Sequence, residues 1–189
     1  AFRHAGAELV FFDCLHDKAL PEVDGLFIGG GFPETHMAAL EATSELRAEI
    51  KTKVKNGLPT YAECGGLMYL SRSISWQGDK ADMLGVIAGD SVMHERPRGR
   101  GYMLLEETGS SPWEKLSSDI FPAHEFHYAS LDGIVAPMNT AFHVRRGAGL
   151  NGSHDWLGQG NMTAGFADLR STSATPRVCR FVDFARSTQ

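Results

Sequence analysis

The stretch Pro59-Thr60-Tyr61-Ala62-Glu63-Cys64-Gly65-Gly66-Leu67-Met68-Tyr69-Leu70 constrains the fold more than any other. It reads as a short buried strand, a sharp turn carrying a cysteine, and an apolar helix. A side chain on such an elbow stands at the carboxyl end of a parallel sheet, and two small residues after it let the chain turn and let a substrate approach. A lone free cysteine is more often core than nucleophile; its place on the elbow makes Cys64 the candidate nucleophile. A helix N-terminus behind it is expected to favour the thiolate and lower its pKa.

Upstream, Glu8-Leu9-Val10-Phe11-Phe12-Asp13 and Asp24-Gly25-Leu26-Phe27-Ile28 are apolar runs without alternation, the pattern of parallel strands covered on both faces. The second runs into Gly29-Gly30-Gly31-Phe32-Pro33-Glu34. These glycines form either a plain turn or a loop offering backbone N–H groups to an anion or oxyanion. No Lys-Ser/Thr follows at phosphate-loop spacing. Residues from about Thr35 to Lys55 read as a helix, with Ala48, Ile50 and Val54 on its apolar side and Asn56-Gly57 closing it. Leu58 to Ala62 is the next strand, and the helix after Cys64 runs to about Ser73. Strand and helix alternating in this way predict an α/β fold, an open and mostly parallel sheet flanked by helices. The glycine loop and Cys64 then share the carboxyl edge, where such sheets bind ligands.

After Gln77-Gly78-Asp79 the pattern changes. Met83 to Ala88, Gly101 to Glu106, Phe121 to Ala129 and Thr140 to Arg145 are short runs between Gly, Pro and charge, read as an antiparallel extension in the second half. Gly147 to Gly152 reads as a loop and Met162 to Leu169 as a last strand. Thr175 to Arg186 is an amphipathic helix, with Val178, Phe181, Val182 and Ala185 on one side. In His124-Glu125-Phe126-His127-Tyr128, an extended chain puts His124, Phe126 and Tyr128 on one face and Glu125 and His127 on the other. The Glu–His pair reads equally as an acid–base or substrate-contact unit and as a polar edge strand. A metal is the less supported alternative, because no third ligand is evident. Arg96, Arg98 and Arg100 cluster in a Gly/Pro-rich loop, usually a solvated feature.

A length of 189 residues suits one domain. The net charge of −5 gives no reason to expect nucleic acid or an anionic membrane as partner, and no apolar run approaches the roughly 20 residues of a membrane span. Three scattered cysteines, Cys14, Cys64 and Cys179, fit a reducing cytoplasm better than a disulfide framework or zinc site. The opening Ala1-Phe2-Arg3-His4-Ala5-Gly6 reads as a last helical turn ending at Gly6, and so as part of a longer polypeptide.

Together, Leu20 through Glu34, Tyr61 through Leu70 and His124 through Tyr128, with fainter support from Gly160 through Phe166 and the last helix, resemble the C-terminal glutamine amidotransferase domain of the cobyrinic acid a,c-diamide synthase family. The likeness covers nearly the whole chain. It implies a class I, triad-type amidotransferase fold of the flavodoxin-like kind, lacking its first strand here. It further implies a cysteine, here Cys64, that attacks the side-chain amide of glutamine. Gly30 or Gly31 and Gly65 would supply the oxyanion hole, and Glu34 lies in the same glutamine-binding loop. His124, Glu125 and His127 fall where a substrate or a neighbouring domain would be met. Ammonia would pass to an ATP-binding synthetase domain that precedes this one in the family and amidates carboxylates of a corrin or related tetrapyrrole. No cofactor is expected in this chain itself, ATP and Mg belonging to that synthetase domain.

One departure stands out. The family's catalytic histidine lies after a Gly-Asn in a segment with two histidines two apart. Here Asp168 and Arg170 occupy those places. A carboxylate repels a thiolate and raises the cysteine pKa, where imidazole would form a thiolate–imidazolium pair. Three explanations stand at this point: an impaired glutaminase, a different histidine (His127 or His154) reaching Cys64, or a shifted register in the last segment. The first is favoured. Two other readings compete with an active enzyme: a degenerate module that docks on the synthetase domain and helps bind the tetrapyrrole, and a cysteine hydrolase of another kind, such as a peptidase, for which GGGFPE and HEFHY would be unexpected.

Overall fold

The computed structural model describes residues 1–113, 120–134, 139–172 and 176–189. In chain order its elements are β1 (Leu26–Ile28), α1 (Met37–Ala42), α2 (Ser44–Lys55), β2 (Thr60–Glu63), α3 (Gly65–Leu70), β3 (Ser73–Trp76), β4 (Asp79–Asp82) and β5 (Asp90–Met93). Then follow β6 (Gly99–Glu107), β7 (Phe121–His127), β8 (Ala129–Asp132), β9 (Thr140–Arg146), β10 (His154–Gln159), β11 (Met162–Gly165) and α4 (Arg177–Ser187).

The α/β class stands, and the main sheet is mixed. Its seven strands run β1-β2-β11-β10-β9-β6-β7, with β1, β2 and β11 parallel and the rest antiparallel. A second sheet of four strands, β4-β3-β5-β8, lies beside it. The antiparallel extension curls back on itself. His124 in β7 exchanges backbone hydrogen bonds with Asp168, just past β11, the Asp168 N–H donating at 2.7 Å and the His124 N–H at 3.3 Å. Strands β11, β10, β9, β6 and β7 therefore close into a ring, and side chains pointing inward from them leave water.

Local chemistry explains the boundaries. Leu46, Ile50 and Val54 of α2 are buried, each worth roughly 1.5–3 kcal/mol against exposure. The helix expected from Thr35 is divided at Thr43, whose hydroxyl donates to the carbonyls of Leu40 and Cys14. Gln77 and Gly78, both with positive φ, make the two-residue turn between β3 and β4. Phe121–Ala129 is two strands, because the chain leaves the large sheet at Tyr128 and enters the small one as β8. On α4, Val178, Phe181, Val182 and Ala185 are buried as the spacing predicts; Thr175 lies outside the described residues.

Two strand expectations are corrected. Met83 to Ala88 is an apolar loop: the N–H groups of Leu84, Gly85, Val86 and Ile87 cap the carbonyls of Tyr69, Ser71 and Leu70 at the end of α3. Glu8 to Asp13 carries no strand either. No strand among the described residues lies beside it, and Phe11 is 80% exposed. A groove of about 890 Å³ is lined by this segment, by Leu26 and Phe27 of β1, and by Phe181, Val182 and Ala185 of α4. The opening turn is as read, with Gly6 at φ 80° closing Arg3–Ala5.

Candidate functional site

Strand β2 delivers Cys64 at the carboxyl edge of the parallel strands, and the residue takes φ 45°, ψ −101°, a conformation few side chains adopt. Its own N–H donates to the Gly165 carbonyl at 2.8 Å, and its carbonyl accepts the Met68 N–H at 3.1 Å. The glycines behind it are sterically required. A Cβ on Gly65 would lie 2.7 Å from the Gly31 oxygen and 2.8 Å from its nitrogen, and one on Gly66 would overlap the Ile28 carbonyl. The loop Gly29–Gly31 thus lies directly on the elbow, with Gly30 beside the Cys64 Cβ. Cys64, Gly30, Gly31 and Gly65 are brought together as the sequence suggests. Glu34, in the single 3₁₀ turn Pro33–His36, is close enough for its charge to act on Cys64.

The electrostatics run against the expected activation. Burial pushes the Cys64 thiol up to about 11, and the Asp168 carboxylate pushes the same way. Hydrogen bonding from the Gly65 N–H opposes them without prevailing. That N–H, at the start of the six-residue helix α3, lowers the thiol as expected, but burial and the Asp168 charge outweigh it, so the net shift is upward. Burial also raises Glu34 and Glu63 above the ordinary carboxylate range.

Asp168 is exposed, and its Oδ2 lies 3.7 Å from Nδ1 of His124. The two alternative bases are placed elsewhere. His127 is 4% exposed, stacks flat on Phe166 with centroids 4.1 Å apart, and bonds through Nδ1 to the Ala129 carbonyl. His154 lies against His143, with which it pairs across β10 and β9.

The face assignment in β7 holds, but Glu125 and His127 point into the ring and are buried, so they are corrected from surface contacts to interior groups. Glu125 accepts the N–H groups of Ala148 and Gly149 at 2.8 and 2.9 Å. Burial pushes its carboxyl up, but His127, 3.5 Å away, and these two N–H groups outweigh burial and hold it low. Of the three, only His124 faces outward. Among the described residues, no three His, Cys, Asp or Glu side chains gather as metal ligands.

Three residues of the site surroundings escape the sequence reading. Glu63 accepts the Tyr61 hydroxyl at 2.7 Å and faces the Leu169 N–H at 3.4 Å. Asp155 and Trp156 sit in β10 behind the segment that precedes Asp168. Glu63 is signalled by its place beside the nucleophile. A buried Asp-Trp in a polar strand carries no comparable signal.

A parallel β-strand ending in a strained cysteine elbow, roofed by a glycine loop and set in a mixed sheet, defines a domain of the glutamine amidotransferase type. Solved structures share this fold: "Crystal structure of glutamine amidotransferase" (TM-score 0.60, 18% identity, 87% of this chain and 80% of that one). Another is "Structure of PurLQS from Thermotoga maritima" (TM-score 0.62, 10% identity, 91% and 82%). Residues 1–166 match the CobB/CobQ-like glutamine amidotransferase domain, and the chain belongs to that family. Its curated relatives include the cobyrinate a,c-diamide synthase of Magnetococcus marinus, 39% identical over 96% of this chain and 39% of that protein. That of Archaeoglobus fulgidus is 38% identical over 93% and 38%. The chain spans about two-fifths of the length of these relatives. Among the described residues no helix is long and apolar enough to cross a membrane.

Proposed function

We propose that this domain binds glutamine at the Cys64 elbow and releases ammonia from it at a reduced rate. The ammonia would serve a synthetase partner domain that uses ATP and Mg to amidate side-chain carboxylates of a corrin-type tetrapyrrole, in the cytoplasm and in cobalamin biosynthesis. The observation that carries the reading is the elbow itself: Cys64 at positive φ, with Gly30, Gly31 and Gly65 packed around it and Asp168 as its charged neighbour.

In this scheme the Cys64 sulfur, after losing its proton, attacks the side-chain carbonyl carbon of glutamine. The developing oxyanion is met by the N–H of Gly65 and of Gly30 or Gly31. The C–N bond breaks as the nitrogen takes up a proton, leaving ammonia and a glutamyl thioester. Water then attacks the thioester carbon, the C–S bond breaks, and glutamate and the Cys64 thiol result. The thiol proton leaves to solvent, and the departing nitrogen draws one from solvent. Asp168, as an anion, opposes the thiolate that the first step needs, so the rate is held down at that step.

The test is intact-mass labelling with a glutamine-mimicking diazoketone, with Cys64→Ser as control. A single adduct on Cys64, blocked by excess glutamine, supports the reading. No adduct, on a thiol that still reacts with a small alkylating agent, overturns it. It would favour the second reading, a degenerate module that docks on the synthetase domain and helps hold the tetrapyrrole, for which the carboxylate at position 168 is the motivating observation.

A further inference from the structure

The backbone strain at Cys64 has a counterpart. Three non-glycine residues among those described take positive φ: Gln77, which forms the β3–β4 turn, Cys64 at 45°, and Trp156 at 62°. The last two are joined through one residue. Gly165 accepts the Cys64 N–H, and the Trp156 indole lies flat on Gly165, so closely that a Cβ there would overlap the ring.

Asp155 holds the same segment from the other side. The β10–β11 ladder runs from Gln159↔Met162 to Leu157↔Ala164 and stops there. Beyond it, a side chain takes over. The fully buried Asp155 carboxylate accepts the N–H of Trp156 at 2.8 Å and of Phe166 at 3.1 Å on one oxygen, and of Ala167 at 2.9 Å on the other. The Trp156 Nε1–H donates to the Ala167 carbonyl at 3.2 Å, and its ring stacks on Tyr61, 4.9 Å between centroids. Tyr61 in turn donates to Glu63, next to the nucleophile. Gly165, Phe166 and Ala167 are thus held by Asp155 and Trp156, and they precede Asp168 directly.

We propose that Asp155 and Trp156 are positioning residues, a clamp that fixes the segment Gly165–Ala167 and through it both the Cys64 elbow and the placement of Asp168. The proposal rests on Cys64 being the reactive thiol of the preceding section. A buried carboxylate is costly to desolvate, and here burial pushes it up to about 6 even against its three donors. Ladder hydrogen bonds alone would hold a strand. Two oxygens shared among three N–H groups let the chain leave the ladder at a set point, and that point feeds the cysteine.

The experiment uses Asp155→Asn, which loses one acceptor face, and Trp156→Phe, which keeps a ring against Gly165 but loses the indole donor to Ala167. Peptide mapping gives the reaction rate of Cys64 with a small haloacetamide and with the glutamine-mimicking diazoketone, each relative to the exposed Cys179 in the same chain. A loosened clamp opens the elbow and spoils its fit to glutamine. We therefore expect the haloacetamide ratio to rise about threefold or more and the diazoketone ratio to fall about tenfold or more in each folded variant. Both ratios staying within about threefold of the parent, with only the melting temperature lowered, overturns the proposal and leaves a purely structural role. If the parent chain takes no diazoketone, the proposed function fails, and the haloacetamide ratio alone decides whether the clamp positions Cys64.

Discussion

Replacing Asp168 tests the electrostatic account of Cys64 most directly. The thiol stands at about 11 against an ordinary value of 9.0, with burial first and Asp168 second among the causes. That difference corresponds to about 2.7 kcal/mol and to roughly 100-fold fewer thiolates at neutral pH. At pH 7.5 about one thiol in 3,000 is ionised. Asp168→Asn removes the repelling charge and keeps the burial of Cys64, so the pKa must fall, but not all the way to the ordinary 9.0. Asp168→His also removes the charge and adds a base able to take the proton, so the pKa must fall further and glutaminase turnover must rise. General acid–base help is worth about 10²–10⁴-fold. The lower end is expected, because the new imidazole would face His124 and not an orienting carboxylate. The assay is the pH dependence of Cys64 alkylation, read by peptide mapping against Cys179, together with glutamate release from glutamine. An unmoved midpoint in Asp168→Asn would show that this carboxylate does not act on Cys64, and the reasoning would fall with it.

Other outcomes follow from the same structure. Gly66→Ala drives a methyl into the Ile28 carbonyl, and Gly65→Ala brings one to 2.7 Å from the Gly31 oxygen. Each should cost more than about 3 kcal/mol in urea unfolding or prevent folding, and a loss under about 1 kcal/mol would contradict the contact between loop and elbow. Glu107→Ala removes the carboxylate 2.9 Å from the buried Arg177, so about 3–5 kcal/mol of stability should be lost; a near-neutral result would mean that the Arg177 guanidinium finds solvent. Burial raises Cys14 as well as Cys64 to about 11. Groups raised on folding contribute stability that is present below the unfolded value near 9 and is lost as pH climbs to 11. Unfolding free energy should therefore fall over that interval, by up to about 3 kcal/mol for each cysteine, and Cys14→Ala should flatten the fall. A stability that stays level from pH 9 to 11 would refute it.

The parallel core was legible because its signals are local. An apolar run into glycine, the Cys-Gly-Gly turn and the apolar spacing of α2 and α4 each state their own structure. What was missed depends on pairing. Leu9, Val10 and Phe11 read as a buried strand from their side chains, but a strand also needs a neighbour for its backbone, and that requirement is not written in the run itself. Met83 to Ile87 has strand composition and instead spends its N–H groups on the end of a helix. His127 and Glu125 share a face, as alternation requires; which face turns inward is set by the closure of the ring, a contact between residues 124 and 168. Asp155 was invisible for the same reason, since its three donors come from the following residue and from a segment 11 and 12 residues away.

The ring closure also bears on what the aspartate does. Asp168 is held through its own backbone on His124 as well as through the segment before it, so its place is set by main-chain contacts and not by its side chain. Outward from the elbow the charged groups then run cysteine, aspartate, histidine. The arrangement that favours catalysis by a thiol puts imidazole next to sulfur and the carboxylate behind it, because the imidazolium then stabilises the thiolate and the carboxylate orients the imidazolium. With the order reversed, the anion is adjacent to the sulfur and the group able to carry positive charge is one step removed. His124, when protonated, offsets the Asp168 charge and lessens its pressure on Cys64, but exposure to solvent screens that help. The same scaffold therefore favours the protonated thiol, with His124 one step removed behind the aspartate.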